Sequence, residues 1–503
     1  MNIAHHLERG NRLFPHKVAL IFEGKSFTYK VLNEMVNIAA NGLKKLGIEK
    51  GDRIALFLPN IPEFIISYIA ILKLGAIAVS LNTMLKVDEV KFILNDCTAK
   101  IVITTAELSK QVPETELPTL EQIIIAEGIV TKGISLTQLL AGVSPDFDAI
   151  ELEPQSPAAI IYTSGTTGFP KGATLSHGNI ISNSYAHKNC CGITHNDRLL
   201  LYLPLFHCFG QNAILNSGLN ACATIVLERI FQPDQLLKTV ANAQVTMFFG
   251  VPTVFILFLN KNLSIDHLKS VRYYFAAAAP MPLEISQKWQ EKYGLVIHEG
   301  YGLTEASPCT TYNHTLKYKP GSIGEAIENV EVKIINSDGT EAQVDELGEI
   351  IIRGTNIMLG YWNRPEETAK AIQNGWLHTG DIGRKDHEGY FYIVDRLKDM
   401  INVSGLKVYP AEVENIIYQH PAVAEVAVYG IPNSLQGEIV KAHIRLQSGQ
   451  LVTQEDIIKF CSERMATYKV PRNIQFVDSI PKNPTGKILK KALREQELVT
   501  TSR

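Results

Sequence analysis

The sequence predicts an α/β protein in which a large layered α/β domain is followed by a smaller α+β domain. Its 503 residues exceed what one hydrophobic core usually serves, so at least two domains are expected. Near the start, a strand pattern at 52–59, a helical pattern at 62–74 and a strand pattern at 76–81 form a β-α-β unit, which implies parallel sheet. From residue 397 onward, the apolar runs take the order of a compact α+β unit.

Apolar periodicity places the other elements of both domains. In the first domain, helical patterns are expected at 29–46 and 252–259, and strands at 100–105, 122–126, 224–227 and 246–251. In the second domain, the expected elements are a helix at 411–418, strands at 423–429 and 439–446, a helix near 455–464 and a strand near 474–477.

The composition, with 46% hydrophobic and 20% charged residues, is that of an ordinary soluble globular protein. A net charge of -3 gives no general attraction to nucleic acid or to anionic membranes. The 7 cysteines are odd in number and scattered, which indicates reduced thiols in a cytoplasmic protein rather than a disulfide framework or a zinc site. Residues 1–10 lack the apolar core of a signal peptide, and the apolar segment 64–81 is interrupted by Lys73 and Gly75, so no integral membrane segment is expected.

The chain is organised around residues 158–172, where an apolar run of strand length leads directly into a loop rich in hydroxyls and glycines. Gly165 and Gly168 let backbone N–H groups approach an anion closely, and Lys171 adds positive charge. The hydroxyl donors are Thr163, Ser164, Thr166 and Thr167. This pattern favours a phosphate cradle over a simple surface turn. It is not a Walker loop, because Lys171 follows a proline where that motif requires Gly-Lys-Ser/Thr.

A second motif at 299–305 has the side chains of a nucleotide site. Gly302 permits close approach, Tyr301 offers a ring for stacking on a purine, Thr304 offers a hydroxyl, and Glu305 is a hard oxygen ligand suited to Mg²⁺. The alternative interpretation is a glycine-rich turn that caps a helix.

Two single residues complete the candidates. Asp381 ends the segment 375–381, and its carboxylate can accept two hydrogen bonds from the vicinal hydroxyls of a ribose, although Thr-Gly-Asp alone is an ordinary loop sequence. His207 lies in the apolar run 203–210, where a histidine is by default a core residue with satisfied ring nitrogens.

Residues 162–172 resemble the AMP-binding motif of the adenylate-forming superfamily, which comprises acyl-CoA synthetases, adenylation domains of peptide synthetases, and luciferases. The later motifs resemble the family's in the same order, over nearly the whole chain. The resemblance implies an adenylate-forming fold, with an AMP-binding domain at 1–396 and a mobile C-terminal domain at 397–503. It also implies ATP-dependent activation of a carboxylic acid.

The resemblance carries site roles onto matching positions. ATP or AMP binding falls on Thr163, Ser164, Gly165, Thr166, Thr167, Gly168, Lys171, Ala278, Tyr301, Gly302, Thr304, Asp381, Arg396 and Lys487. Catalytic roles fall on Lys487, His207, Thr304 and Gly405, Mg²⁺ binding falls on Glu305 and Thr163, and the hinge position falls on Lys398.

The implied reaction has two steps. A carboxylate attacks the α-phosphate of ATP and expels diphosphate, and Lys487 neutralises the charge that develops. Rotation about Lys398 then withdraws Lys487 and brings up Gly405, past which a pantetheine arm reaches the acyl adenylate. The expected partners are a fatty acid and either CoA or a holo acyl-carrier protein.

Substrate and acceptor stay open at this stage. Residues 276–279 are alanines where the family often has glycine, which suggests a narrowed acyl tunnel and a bias toward short or medium chains. The alternatives to a fatty acid:CoA ligase are a medium-chain fatty acid:acyl-carrier-protein ligase and an aryl acid ligase similar to 4-coumarate:CoA ligases. A nucleotide sensor without turnover is disfavoured by the presence of Glu305 and Lys487.

Overall fold

The computed structural model of the protein describes residues 1–163, 170–261, 265–314, 316–433, 435–484 and 486–501. Of the predicted site residues, Ser164, Gly165, Thr166, Thr167 and Gly168 lie outside these ranges. The backbone of Lys398 is described, but its side chain is not.

The strands are numbered in chain order. The large domain contains β1 (Val18–Phe22), β2 (Lys25–Thr28), β3 (Arg53–Phe57), β4 (Ile77–Ser80), β5 (Ile101–Thr105), β6 (Gln122–Glu127), β7 (Ile134–Ser135), β8 (Pro157–Thr163), β9 (Lys171–Ser176), β10 (Arg198–Leu201), β11 (Thr224–Leu227), β12 (Met247–Gly250), β13 (Tyr273–Ala276), β14 (Ile297–Gly302), β15 (Cys309–Tyr312), β16 (Glu325–Ala326), β17 (Val330–Ile335), β18 (Gly348–Gly354), β19 (Gly360–Tyr361), β20 (Ile372–Gln373), β21 (Trp376–Lys385) and β22 (Phe391–Arg396). The C-terminal part contains β23 (Ile401–Val403), β24 (Leu406–Val408), β25 (Val423–Asn433), β26 (Gly437–Leu446) and β27 (Asn473–Phe476).

The helices follow the same convention. They are α1 (His5–Leu13), α2 (Tyr29–Lys45), α3 (Pro62–Lys73), α4 (Val87–Asp96), α5 (Leu136–Leu140), α6 (His177–Cys190), α7 (Ser217–Asn220), α8 (Pro233–Asn242), α9 (Pro252–Asn260), α10 (Leu283–Tyr293), α11 (Pro365–Ala371), α12 (Pro410–Tyr418), α13 (Gln454–Ser462) and α14 (Lys490–Thr501). A π-helical segment spans Phe209–Asn216, and short 3₁₀ turns span Leu108–Gln111, Ile265–Leu268, Thr304–Ala306 and Leu397–Asp399.

Two largely parallel sheets form the core of the large domain. One runs in the order β16-β15-β14-β13-β12-β10-β11-β1-β2, and the other runs β19-β9-β8-β4-β3-β5-β6-β7. Their central strands are nearly continuous apolar runs, such as β4 and β12, because helices cover both faces of a parallel sheet. The predicted β-α-β unit is confirmed, since β3 and β4 pair in parallel across α3.

A third sheet, β17-β18-β21-β20 with β22 paired to β21, is antiparallel and was not predicted. In β17, Val330, Val332 and Ile334 are buried, whereas Glu331 is exposed and Lys333 is partly exposed. This period-two pattern is typical of a sheet with one face toward solvent. The sheet matters for function because it contains Asp381 and Arg396.

The C-terminal part folds as an α+β unit, as predicted. Its sheet runs β24-β23-β26-β25, with β27 parallel to β26. The last helix, α14, contacts the segment that joins the two parts of the chain, because Arg494 Nη1 lies 3.0 Å from Oδ1 of Asp399.

Segment 64–81 forms α3 and β4, as predicted, and not a membrane span. Within the ranges given above, every helix is too short or too polar to cross a lipid bilayer.

Candidate functional site

Strand β8 delivers Thr163 to the edge of the predicted phosphate loop, and β9 leaves that loop at Lys171. The two strands are antiparallel, and Thr163 lies opposite Lys171 in their register. The hydroxyl of Thr163 donates a hydrogen bond of 3.4 Å to the carbonyl oxygen of Lys171. Both ends of the loop are therefore fixed by the sheet.

Lys171 is held by residues that the sequence did not single out. Its ammonium group pairs with the carboxylate of Glu367 and lies 5.3 Å from the centre of the Tyr361 ring. Tyr361 belongs to β19, which pairs with β9, and its hydroxyl donates a 2.8 Å hydrogen bond to Oε1 of Glu305. The predicted phosphate-binding lysine and the predicted metal ligand are thus joined through one tyrosine.

Glu305 lies in a 3₁₀ turn directly after β14. Its carboxylate is compatible with Mg²⁺, which is usually bound through one or two carboxylates together with substrate phosphates. In the described part of the chain, no group of three or more His, Cys, Asp or Glu side chains is arranged to hold a metal ion without such phosphates. Thr163, the second predicted ligand, ends β8 and is only partly buried.

The predicted purine and ribose residues meet. Tyr301 on β14 donates a 2.6 Å hydrogen bond to Oδ2 of Asp381, and Arg396 Nε lies 3.0 Å from Oδ1 of the same carboxylate. Asp381 and Arg396 are direct partners on β21 and β22. Burial and the Asp381 charge raise the pKa of the Tyr301 hydroxyl, so this hydroxyl remains a donor.

Tyr301, Gly302 and Asp381 all lie in strands, so the alternative of a helix-capping turn does not apply to the second motif. Tyr301 and Gly302 belong to β14, and Asp381 belongs to β21. At Gly302, an added Cβ would lie 1.9 Å from the carbonyl oxygen of Pro308, so the predicted need for close approach concerns the protein's own backbone. The strands fix both side chains more rigidly than a loop would.

Glu299, two residues before Tyr301, is a buried carboxyl group with a raised pKa. Only 5% of its surface is exposed, and its Oε1 has no hydrogen-bond partner among the described residues. Burial raises its pKa to about 8. The group is therefore largely neutral at pH 7, which the sequence did not indicate.

His207 lies in a turn before the π-helical segment and is half-buried. Its Nδ1 accepts a hydrogen bond of 3.2 Å from the backbone N–H of Phe209, which assigns the proton of the neutral ring to Nε2. Burial and the nearby ammonium of Lys487 lower its pKa to about 4. Thr304 is close by, since its hydroxyl lies 3.4 Å from Sγ of Cys208.

Two aromatic residues, Phe209 and Phe275, pack between the segment after His207 and strand β14. The rings of Phe209 and Phe275 meet edge to face with centroids 6.2 Å apart. Phe275 covers the backbone of Gly300, where an added Cβ would lie 2.5 Å from its Cζ. Both rings belong to the core, with 5% of Phe209 and 3% of Phe275 exposed, and sequence reasoning did not single out either residue.

Ala278, a predicted nucleotide-binding residue, has an unusual backbone. Its φ is +70°, in the left-handed region that favours glycine. It follows β13 within the alanine run at 276–279. Because alanine has a Cβ and glycine does not, the backbone of Ala278 is strained in this conformation.

Lys487 lies on a turn with its own hydrogen bonds. Asn483 N donates to Lys487 O at 2.8 Å, Lys487 N donates to Asn483 Oδ1 at 2.8 Å, and Gly486 N donates to Asn483 O at 2.9 Å. The turn lies against the large domain, because Thr253 Oγ1 donates a hydrogen bond of 3.2 Å to the carbonyl oxygen of Gly486. A residue near the end of the chain is therefore held beside His207.

Gly405 is not brought into this group of contacts, and of Lys398 only the backbone is described. Lys398 lies in the 3₁₀ turn Leu397–Asp399 between the two parts of the chain. Gly405 lies between β23 and β24 with φ of +87°, and a Cβ added there would meet no heavy atom within 4 Å. The structure thus places Lys487 at the site and leaves Gly405 in open space.

Comparison with known proteins identifies the family of the chain. Residues 7–362 match the model of the AMP-binding enzyme family, and residues 412–487 match its C-terminal domain. A long-chain-fatty-acid–CoA ligase of Bacillus subtilis (strain 168) is 36% identical, over 96% of this chain and 92% of the relative. A feruloyl-CoA synthase of Amycolatopsis sp is 34% identical over 97% of both chains.

Among solved structures, the anthranilate CoA ligase AuaEII in complex with anthranoyl-AMP superposes with a TM-score of 0.94. It is 30% identical, over 100% of this chain and 98% of that one. Fold, motif order and sequence similarity agree, and the chain belongs to the acyl-CoA synthetase branch of the adenylate-forming, AMP-binding enzyme superfamily.

Proposed function

We propose that this protein is an ATP-dependent acid–CoA ligase that converts an apolar carboxylic acid into an acyl adenylate and then into a thioester. The observation that carries the proposal is the position of Lys487. Its turn is docked on Thr253, and its ammonium lies near enough to His207 to help lower the pKa of that ring. This cation is where a carboxylate and an α-phosphate would need neutralisation as they approach each other.

In the first step, an oxygen of the substrate carboxylate attacks the α-phosphorus of ATP. The bond to the β-phosphate oxygen breaks, and diphosphate leaves with the electron pair. Asp381 orients the ribose, Lys171 neutralises phosphate charge, and neutral His207 offers Nε2–H to the carboxylate. Glu305 and Thr163 would hold Mg²⁺, which supplies charge neutralisation on the phosphates when it is bound.

In the second step, a thiolate attacks the acyl carbon, and AMP leaves as the carbon–oxygen bond breaks. The space in front of that carbon is occupied by Lys487 in the arrangement described above. The small domain must therefore turn, and we assign the pivot to Leu397–Asp399, which includes Lys398. Gly405 then lines the thiol path, since its lack of a side chain leaves room for a pantetheine arm.

A fatty acid is the first substrate candidate. His207 is followed by Phe209, which is buried and packs against Phe275, so the surroundings of the proposed carboxylate position are apolar on this side. The Bacillus subtilis relative acts, by its name, on long-chain fatty acids. The alanine run at 276–279 favours the shorter members of that class.

An aryl acid is the second candidate, and one observation favours it. The rings of Phe209 and Phe275 meet edge to face, which is an arrangement that a flat aromatic substrate could extend. Feruloyl and anthranoyl groups occur in the names of the similar proteins described above. CoA is the favoured acceptor because those relatives are CoA ligases. The thiol of a carrier protein is the alternative acceptor. The proposed cellular compartment of the protein is the cytoplasm.

The experiment is a diphosphate-release assay with ATP, Mg²⁺ and matched panels of aliphatic and aryl acids, with and without CoA or holo carrier protein. Lys487→Ala should abolish diphosphate release and spare thioester formation from supplied acyl-AMP, whereas Gly405→Leu should do the reverse. Glu388→Gln, in a distant surface ion pair, serves as control. Absence of diphosphate with every acid would refute the proposal. Equal loss of both half-reactions in each variant would refute the division of roles.

A further inference from the structure

Helix α9 of the large domain contacts the C-terminal part at both of its ends. Near its first residue, Thr253 Oγ1 donates a 3.2 Å hydrogen bond to the carbonyl oxygen of Gly486. At its last residue, Asn260 Oδ1 accepts a 3.1 Å hydrogen bond from Nε2 of Gln447. Helix α9 follows β12 directly, so these contacts connect the small domain to the sheet that contains β12, β13 and β14.

The contact at Thr253 is tight as well as polar. Gly486 has φ of +85°, and a Cβ added there would lie 2.9 Å from Thr253 Oγ1 and 3.0 Å from Cγ2 of Val251. Asn483 is hydrogen-bonded to both Gly486 and Lys487, so a shift of Gly486 would move Lys487 with it. The hydroxyl of one threonine therefore fixes the place of the lysine.

We propose that Thr253 is a positioning residue that docks the Lys487 turn for acyl-adenylate formation and releases it before thioester formation. This inference rests on the proposed function. The bond crosses between the two parts of the chain, so rotation of the small domain must break it. Thr253 is only partly buried, and both its hydroxyl and the Gly486 carbonyl can then bond to water at small cost.

The test compares Thr253→Val, which keeps the shape and removes the donor, with Thr253→Ser, which keeps the donor. In Thr253→Val, kcat for diphosphate release should fall about three- to tenfold with an unchanged KM for ATP, since loss of one hydrogen bond has effects of this size. Thioester formation from supplied acyl-AMP should be unchanged or faster. Thr253→Ser should behave like the wild type.

Two controls separate positioning from general damage. Thr239→Val removes a threonine hydroxyl of α8 that bonds to Glu228 within the large domain, and it should leave both half-reactions unchanged. Asn260→Ala removes the second contact of α9, and it should lower diphosphate release less than Thr253→Val, because Asn260 is far from the lysine turn along the helix.

Unchanged diphosphate release in Thr253→Val, or equal loss of both half-reactions without rescue by Thr253→Ser, would overturn the role of Thr253. A wild-type protein that releases no diphosphate with any acid would instead overturn the proposed function. A selective loss in Thr253→Val with rescue by Thr253→Ser supports the inference.

Discussion

The hydroxyl of Tyr361 donates a 2.8 Å hydrogen bond to Oε1 of Glu305, so an edge strand orients the carboxylate assigned to the metal ion. In Tyr361→Phe, Glu305 should lose this restraint while the ring beneath Lys171 remains. We expect the Mg²⁺ concentration for half-maximal diphosphate release to rise about tenfold or more, because a hydrogen bond to a charged group contributes about 1.5–3 kcal/mol. A Mg²⁺ titration measures this concentration, and Glu305→Gln should raise it more than Tyr361→Phe does. An unchanged half-saturation point would contradict the role of Tyr361.

Asp381 is expected to contribute to ATP binding through the ribose. In Asp381→Asn, KM for ATP should rise about ten- to a hundredfold, because a charge-assisted pair of hydrogen bonds is weakened. A thermodynamic cycle tests the contact directly: KM is measured for ATP and for 2′-deoxy-ATP, in the wild type and in Asp381→Asn. If Asp381 binds the ribose hydroxyls, the penalty for the deoxy nucleotide should be smaller in the variant than in the wild type. Equal penalties in both proteins would mean that the carboxylate serves only Tyr301 and Arg396.

Replacement of Ala278 by glycine should change the stability of the protein very little. With φ of +70°, Ala278 is strained, and Ala278→Gly should relieve about 1 kcal/mol of strain, offset by a similar loss through the more flexible unfolded chain. Stability should thus change by less than about 0.5 kcal/mol. Ala277→Gly, at a residue outside the left-handed region, should instead cost about 1 kcal/mol.

The same variant tests the substrate hypothesis. Removing the methyl group of Ala278 should move the optimum in a saturated fatty-acid series toward longer chains, because the wall of the tunnel recedes. The wild type should prefer short or medium chains. An optimum at palmitate or longer in the wild type would contradict the narrowing role of the alanine run.

Glu299 should make the protein less stable as pH rises. Its pKa of about 8 lies above the ordinary 4.5, so the folded state binds more protons than the unfolded state between these values. The stabilisation is therefore present below pH 4.5 and is lost as pH rises through 8. Relative to Glu299→Gln, the wild type should lose about 3 kcal/mol in free energy of unfolding between pH 5 and pH 8. Denaturant titrations at both pH values measure this, and a constant difference would refute it.

The residues predicted to bind the nucleotide could be named from the sequence because their signals are local. Tyr301, Asp381 and Arg396 each belong to a short motif, and the structure brings the three together. Tyr361 and Thr253 carry no such signal. Tyr361 reaches Glu305 only because β19 pairs with β9, and Thr253 reaches Gly486 only because the two parts of the chain dock.

The fold was predicted to a similar degree and for related reasons. Parallel strands such as β3 and β4 are continuous apolar runs that stand out from the helices between them. The sheet from β17 to β22 was missed, although the alternation of Val330, Val332 and Ile334 with polar residues could have revealed it. Asp381 lies in β21 of this sheet, whose strand pattern is obscured by the glycines within it.

The ion pair between Arg494 and Asp399 joins the last helix to the segment about which the small domain is proposed to turn. Both side chains are partly exposed, so dissolved salt reaches and screens the pair. Raising ionic strength would therefore weaken the contact between α14 and the segment Leu397–Asp399. The proposed pivot would then respond to its salt environment through a contact that touches neither nucleotide nor acid.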